Sequence, residues 1–177
     1  MDPVPLSRRQ FLRGRMRPSL AVPRPPWALN EAEFIDRCTR CRACIEVCPT
    51  RILVPAQGGF PTVDFSAGEC TFCGDCVTRC EPAALLRPAH DASPWSLRVQ
   101  IGEGCIAAQG VECRVCGEAC PVGAIRFRPR PGGVALPETD LQACNGCGAC
   151  FAPCPVQAVK VVAINQQSAT VPMERKE

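Results

Sequence analysis

All 16 cysteines of this 177-residue chain fall into four runs, and none lies outside them. Three runs have the spacing Cys-x2-Cys-x2-Cys-x3-Cys, and the third along the chain has a longer first gap, Cys-x7-Cys-x2-Cys-x3-Cys. The runs are Cys38, Cys41, Cys44 and Cys48; Cys70, Cys73, Cys76 and Cys80; Cys105, Cys113, Cys116 and Cys120; and Cys144, Cys147, Cys150 and Cys154. A pattern this regular predicts metal-binding loops.

The chemistry of this spacing indicates [4Fe–4S] clusters. A Cys-x2-Cys-x2-Cys loop presents three thiolates to one cube and turns backbone N–H groups toward its sulfides, while the fourth cysteine binds the neighbouring cube. At four thiolates per cluster, the chain is predicted to hold four clusters with no thiol left over. Each fourth cysteine is expected to open a short helix, and a following proline such as Pro49 or Pro155 redirects the chain.

A zinc ribbon and a disulfide scaffold are the two alternatives. A zinc site uses pairs of cysteines, without a third cysteine at the same step and a fourth three residues beyond it. An even number of cysteines suits a disulfide framework in a secreted chain, but these spacings repeat too regularly for cysteines that staple loops. The iron–sulfur interpretation is therefore favoured.

Short strands are predicted between and after the runs. Alternating apolar residues on either side of Gly58-Gly59 and of Gly132-Gly133 are typical of β-hairpins. A further strand is expected at 96–101, with one apolar face, and another at 158–164. Each half of the chain thus has the order run, hairpin, run.

The fold class that follows is α+β: two tandem ferredoxin-like 2[4Fe–4S] cages, loop-rich, with short β-hairpins and short helices. The predicted segments are a basic Arg/Pro-rich arm at 1–30, a first domain at 31–90, a second domain at 91–164 and a disordered tail at 165–177. Each domain is too small to bury a large apolar core, so the clusters are expected to supply much of the folding free energy.

Crossing the fourth cysteines within each half assigns the ligands. The expected sets are quartet one (Cys38, Cys41, Cys44, Cys80), quartet two (Cys70, Cys73, Cys76, Cys48), quartet three (Cys105, Cys113, Cys116, Cys154) and quartet four (Cys144, Cys147, Cys150, Cys120). The alternative is a nested pairing of the first run with the fourth and the second with the third. The nearly equal gaps between paired runs favour pairing within halves.

Several residues depart from the repeat. Seven residues, 106–112, fill the long gap of the third run. Such a loop is too long to follow the surface of a cluster closely. The third cluster is therefore expected to be labile, unusually exposed or missing a corner iron. Glu81 and His90 are interpreted as surface residues, and Trp27 and Trp95 as packing residues rather than an electron relay.

The amino-terminal arm is arginine-rich. Residues 7–13 resemble a twin-arginine export motif, but arginines and prolines interrupt the apolar stretch that a signal peptide needs. A solvated tail and a docking arm, for an acidic partner or for the translocation machinery, remain open, with Arg8, Arg9 and Arg13 as candidate contacts. Nucleic-acid binding is disfavoured because no recognition motif follows.

Composition and motifs narrow the class of protein. Sixteen reduced thiols and oxygen-sensitive clusters suit a reducing compartment, so a cytoplasmic location is expected. No stretch approaches the length of an apolar membrane span. The chain has no dinucleotide fingerprint, Walker loop or set of catalytic acid, base and nucleophile. These observations predict a protein of the electron-transfer type without its own substrate site, and not an enzyme.

Several segments together resemble one family. They are Ser7–Gly14, Arg24–Trp27, Cys38–Cys41, Gly58–Pro61, Val111–Arg114 and Leu141–Cys150. In these segments the chain is similar to the NapF family, the ferredoxin-type accessory proteins of the periplasmic nitrate reductase system. The stretched third run, and an arm with twin arginines but no apolar stretch, carry most of this likeness.

The resemblance implies a cytoplasmic four-cluster protein that contacts the immature molybdenum-containing catalytic subunit of the nitrate reductase before export. It also implies a role in maturing that subunit, through electrons or through help in forming its own [4Fe–4S] cluster. A general multi-cluster ferredoxin and the electron-transfer subunit of a permanent oxidoreductase complex are the alternatives. The arm favours maturation, because a docking protein has a use for it and a simple carrier does not.

Overall fold

The computed structural model describes residues 22–88 and 93–164, which form two halves built on one plan. The first half contains α1 (Glu31–Arg37), α2 (Ala43–Glu46), β1 (Leu53–Pro55), a 3-10 turn (Gln57–Gly59), β2 (Pro61–Val63) and α3 (Asp75–Thr78). The second half contains β3 (Leu97–Ile101), α4 (Val115–Glu118), β4 (Ile125–Arg130), β5 (Gly133–Thr139) and β6 (Val159–Ala163). Elements this short fit the predicted loop-rich α+β class. Among the described helices, none has the length and apolar character to cross a membrane.

The strands form three two-stranded antiparallel sheets. In the first hairpin Leu53 of β1 lies opposite Val63 of β2, and in the second Ile125 of β4 lies opposite Thr139 of β5. These two hairpins were predicted and are confirmed. The predicted strands at 96–101 and 158–164 are confirmed as β3 and β6, which pair with each other. That pairing joins the two ends of the second half and was not predicted.

The segment before α1 belongs to the folded first half. Backbone N–H of Val63 and the hydroxyl of Thr62 both donate to the carbonyl oxygen of Pro23, at 3.1 and 2.8 Å. A β-bridge joins Ala28 to Leu85. This bridge is the counterpart in the first half of the β3–β6 pairing in the second half. Residues 23–29 were assigned to the arm from the sequence, but their backbone is hydrogen-bonded to the first half.

Helix α1 was not predicted, although its signals are present. The side chain of Asn30 accepts a hydrogen bond from the backbone N–H of Glu33 at 3.1 Å, which caps the first turn. Glu31 and Glu33 lie at the positive end of the helix, where acidic side chains are favourable. Phe34, on the inner face, is fully buried.

The short helices lie one step earlier than expected. Cys44, Cys76 and Cys116, the third cysteines of their runs, lie inside α2, α3 and α4. Each helix ends before the fourth cysteine, so the expectation that the fourth cysteine opens a helix is wrong. The described fourth run has turns and no helix. A following proline disfavours helical backbone at the residue before it, as at Cys48, so the helix stops there.

Two clusters of buried side chains hold the halves together. The larger contains Phe34, Ile52, Leu53, Val63, Phe65, Cys76, Ala84, Leu85 and Leu97. The smaller contains Val99, Cys116, Ala124, Ile125, Cys144, Cys150 and Val159. Leu97 belongs to the second half but packs in the first cluster, so the two halves share part of one core.

Candidate iron–sulfur centres

Four cavities in the described residues are each lined by four cysteines. The lining cysteines are those of quartet one, quartet two, quartet three and quartet four, with no exchange between sets. The structure therefore brings the fourth cysteine of each run to the other run of the same half. The nested arrangement of runs across the halves is not the one observed.

The cavities have similar sizes despite the stretched third run. Quartets one to four surround about 360, 340, 340 and 310 Å³ of empty space. The inserted residues 106–112 form a compact turn, in which the backbone N–H groups of Gln109 and Val111 both donate to the carbonyl oxygen of Ile106 at 3.0 Å. Ala107 within this turn is buried, and Ile106 lines the cavity. The insertion is thus accommodated without widening the cavity.

Exposure also differs from the expectation for quartet three. Cys105 and Cys113 are half-buried and Cys116 is buried, whereas Cys41 of quartet one and Cys73 of quartet two are exposed. The third site is therefore not the unusually exposed one. The most exposed thiols belong to the middle of the first and second runs.

The loops of three runs curl through left-handed backbone. The residues on both sides of the second cysteine have positive φ, and they are Arg40 and Arg42, Phe72 and Gly74, and Gly146 and Gly148. Glycine adopts this conformation without cost, but arginine and phenylalanine do so at some strain. In the third run Arg114, after the second cysteine, has a φ of −130°. The long gap thus replaces the tight curl with a wider path.

A turn follows every fourth cysteine. The backbone N–H three residues on donates to the cysteine carbonyl oxygen, from Arg51, Ala83, Gly123 and Gln157 at 3.2, 3.0, 3.2 and 3.2 Å, and all four donors have positive φ. In the second half the next N–H reaches the thiol sulfur itself, from Ala124 to Cys120 and from Ala158 to Cys154, at 3.3 Å each. The turn therefore orients the fourth sulfur and supplies it with a donor.

The buried thiols carry raised pKa values. Burial, together with a smaller contribution from neighbouring cysteines chiefly of the same quartet, raises the pKa of Cys44, Cys76 and Cys150 to about 12. Burial likewise raises the pKa of Cys70 and Cys116 to about 11. Four sulfurs around one cavity thus repel each other once ionised, and a cationic group among them relieves that repulsion.

Cys154 is the exception among the shifted thiols. Burial raises its pKa, but backbone N–H groups led by that of Val156 outweigh burial and leave the pKa below the usual value. These donors belong to the turn after the fourth cysteine. The same turn therefore favours the thiolate form that a metal ligand requires.

The donor set fits an iron–sulfur cluster. Four soft sulfur donors surround each cavity, as an all-cysteine [4Fe–4S] cluster needs. In the part of the chain that the structure describes, no group of three or more His, Cys, Asp or Glu side chains is placed to hold a single metal ion.

Quartet one has the most arginine around it. Arg40, Arg42 and Arg79 line its cavity beside the exposed Cys41. Arg40 is held in place by the first hairpin, where it donates to the carbonyl oxygen of Gly58 at 3.3 Å. Its guanidinium also lies 5.0 Å from the centre of the Phe60 ring. Arg40 and Arg42 stand between cysteines of the first run and Arg79 between cysteines of the second, and none of the three was among the predicted site residues.

The remaining predicted residues fall into two groups. Glu81 is exposed, while Trp27 and Trp95 make ring contacts with Phe72 at 6.3 and 5.8 Å, as packing residues do. The candidate docking residues Arg8, Arg9 and Arg13, together with His90, lie outside the described residues.

Comparison with known proteins identifies both halves. Two models of a 4Fe-4S dicluster domain match residues 27–85 and 110–158. Together with the 16 cysteines, they establish four [4Fe–4S] clusters as the cofactors of this chain. The second match begins inside the long gap of the third run and leaves Cys105 outside it. This is the position at which the chain departs from the usual spacing.

Whole-chain relatives are more specific. The ferredoxin-type protein NapF of Escherichia coli strain K12 is 46% identical over 156 residues, 88% of this chain and 94% of the relative. That of Haemophilus influenzae is 43% identical over 171 residues, 91% of this chain and 96% of the relative. The methylamine utilization ferredoxin-type protein MauM of Methylobacillus flagellatus is 34% identical over 81% of this chain and 68% of the relative. The chain therefore belongs to the NapF family of ferredoxin-type iron–sulfur proteins.

Proposed function

We propose that this protein acts in the cytoplasm on the immature molybdenum-containing catalytic subunit of periplasmic nitrate reductase. It binds that subunit before export and assists its maturation by supplying electrons or iron–sulfur units. The observation that carries the proposal is the likeness to the NapF proteins, which reaches 46% identity over 88% of the chain.

Within this proposal each quartet holds one [4Fe–4S] cluster. A bound cluster of this type supplies one-electron oxidation and reduction. The chain's own residues have three tasks: the thiolates bind, the turns after the fourth cysteines orient the sulfurs, and the apolar side chains around each cavity limit access of water. The protein then needs no substrate site of its own, and its specificity lies in what it docks to.

Two basic regions support a docking role. Arg8, Arg9 and Arg13 of the arm are proposed to contact an acidic surface of the partner. Arg40 and Arg42, exposed beside Cys41, provide a second positive region at the edge of quartet one. A partner bound there lies against one of the two most exposed thiols of the protein.

An anaerobic pull-down tests the proposal. Tagged full-length protein is recovered from cytoplasm and probed for the precursor and mature forms of the catalytic subunit. We expect capture of the precursor, and loss of at least most of it when residues 2–21 are deleted. This deletion spares residues 23–29, which pack on the first half. Capture of neither form would contradict the proposal and leave a free-standing electron carrier.

Charge-reversal variants locate the contact within the pull-down. Arg40→Glu with Arg42→Glu is expected to weaken capture of the precursor at the edge of quartet one. Arg126→Glu with Arg130→Glu makes the same change of charge at exposed positions of the second hairpin and should capture as well as the wild type. Equal capture by both double variants would remove Arg40 and Arg42 from the docking surface.

A general multi-cluster electron carrier is the second candidate. It is favoured by the relative of 34% identity, MauM, whose name places it in methylamine utilization and not in nitrate reduction. The same fold thus occurs in a different redox system. The pull-down separates the two candidates, because a carrier without a maturation role has no reason to prefer the precursor over the mature form.

A further inference from the structure

The two halves meet beside quartets two and four. The backbone N–H of Cys70 in the first half donates to the carbonyl oxygen of Cys147 in the second at 2.8 Å. Cys70 is the first cysteine of the second run, and Cys147 is the second cysteine of the fourth run. A ligand of one quartet is therefore bonded directly to a ligand of another across the junction.

Aromatic side chains of the two halves also contact one another. The Trp95 ring lies edge-on to Phe65 at 5.9 Å and to Phe72 at 5.8 Å between centroids, and Phe65 lies 6.5 Å from Phe151. The indole N–H of Trp95 donates to the carbonyl oxygen of Asn145 at 2.9 Å. Trp95 thus ties the first-half rings to the loop of the fourth run. Contacts of this kind hold a junction rigid and exclude water from it.

The fourth run is shaped for this contact by glycine. Gly148 has a φ of +84°, and a Cβ there would overlap the ring of Phe65 from the other half. Gly146 has a φ of +74°, and a Cβ there would overlap the carbonyl oxygen of Leu97. A side chain at Gly148 would push the halves apart, so this glycine is required by the junction as well as by its backbone conformation.

Quartets one and three take no part in the junction. Among the described residues, no hydrogen bond or ring contact between the halves involves a cysteine of either quartet. Within each half the quartets are interlocked, because each run supplies three cysteines to one and the fourth to the other. Quartets one and two are thereby neighbours, as are three and four.

We propose that the Cys70–Cys147 hydrogen bond and the ring contacts between the halves place quartets two and four next to each other. The four sites then form a row in the order one, two, four, three. This inference rests on the proposed ligand quartets. It assigns the ends of the row to quartets one and three, which lie in different halves. The order differs from the order of the runs in the chain.

Electron paramagnetic resonance on full-length variants tests the order. Cys41→Ala with Cys113→Ala leaves only quartets two and four complete, and Cys73→Ala with Cys147→Ala leaves only quartets one and three. Each should retain about 8 of about 16 iron atoms. After reduction, the first variant should show spin–spin splitting or broadening that the second lacks. Splitting that is equal in both, or present only in the second, would overturn the proposed order.

Iron content separates this inference from the ligand assignment. If either double variant keeps all its iron or loses all of it, the assignment of quartets has failed and its spectrum is not used. Amide hydrogen exchange in the wild-type holoprotein then decides the junction alone. The Cys70 amide should exchange slowly, and about tenfold or more faster in Trp95→Ala than in the matched variant Phe60→Ala. Rapid exchange in the wild type would refute the junction.

Discussion

Cys105 is the residue on which the third site depends. It stands eight positions before Cys113, outside the matched dicluster domain, yet it lines the same cavity as Cys113, Cys116 and Cys154. Its backbone is held by an N–H···O bond to the carbonyl oxygen of Gly102 at 3.1 Å, directly after β3. The backbone of Cys105 is thus held on both sides, by Gly102 after β3 and by Ala108 of the following loop, whose N–H donates to the Cys105 carbonyl oxygen at 3.0 Å.

Replacing Cys105 by alanine should remove one cluster and leave three. Iron should fall from about 16 to about 12 atoms per chain, because each all-cysteine cube needs its four thiolates. Iron and sulfide analysis of anaerobically purified protein measures the change. Gln109→Ala, in the exposed part of the same loop, is the control and should keep the full iron content. Loss of all iron, or of none, would be inconsistent with the assignment of quartet three.

At the scale of elements, α1 connects the entering segment to the first core. Its cap, Asn30, is exposed, while Phe34 one turn later is fully buried. The guanidinium of Arg24 makes two hydrogen bonds to the carboxylate of Glu31, at 3.0 and 2.7 Å, and lies 4.9 Å from the centre of the Phe34 ring. Helix α1 thus holds residues 23–29 in place beside the first hairpin.

Loss of the cap should weaken this element without touching a cysteine. Asn30→Ala leaves the N–H of Glu33 without its partner and should cost about 1 kcal/mol of unfolding free energy. Anaerobic denaturant unfolding of the holoprotein measures the effect. Asn30→Asp retains an acceptor oxygen and should be as stable as the wild type. Equal stability of Asn30→Ala and the wild type would show that α1 does not depend on this cap.

At the scale of the whole molecule, cysteines replace part of the apolar core. In the second half the buried cluster contains three cysteines, and its non-cysteine members are Val99, Ala124, Ile125 and Val159. The first half has the larger apolar cluster, with Phe34 and Phe65 among its members. Burial of so few aliphatic side chains offsets little of the entropy of ordering the second half.

Removal of iron should therefore unfold the second half more completely than the first. After anaerobic chelation, amide exchange should accelerate throughout residues 93–164, while peptides around Phe34 and Leu53 keep part of their protection. Mass spectrometry of exchanged peptides reads this out, with iron-saturated chelator as the control. Retention of full protection in the second half after iron removal would contradict a cluster-dependent fold.

The sequence alone determined the cofactors, the hairpins and the repeat. Sixteen cysteines at ligand spacing leave little freedom, because the chemistry of the cube dictates the type and number of its ligands. Gly58-Gly59 and Gly132-Gly133 marked both hairpin turns, which lie between β1 and β2 and between β4 and β5. These are local signals, since every residue that produces them lies within a few positions of the element it predicts.

Signals that were local but overlooked explain two errors. Asn30 is a favourable cap residue and predicts the start of α1. The proline after Cys48 indicates the end of a helix and not its beginning. Both could have been found in the sequence. The left-handed backbone at Arg40 and Arg42 could not, because arginine has no preference for it and the surrounding loop imposes it.

Only the tertiary structure decided how the halves meet. Each run supplies three cysteines to one cluster and a fourth to another, so the spacing does not distinguish one run from the next. Nothing in the sequence places Cys70 next to Cys147 rather than next to a cysteine of the third run. That choice follows from contacts between side chains distant in sequence, Phe65 against Gly148 and Trp95 against Phe72. Spacing determines which atoms bind a cluster, while packing between distant residues determines which clusters are neighbours.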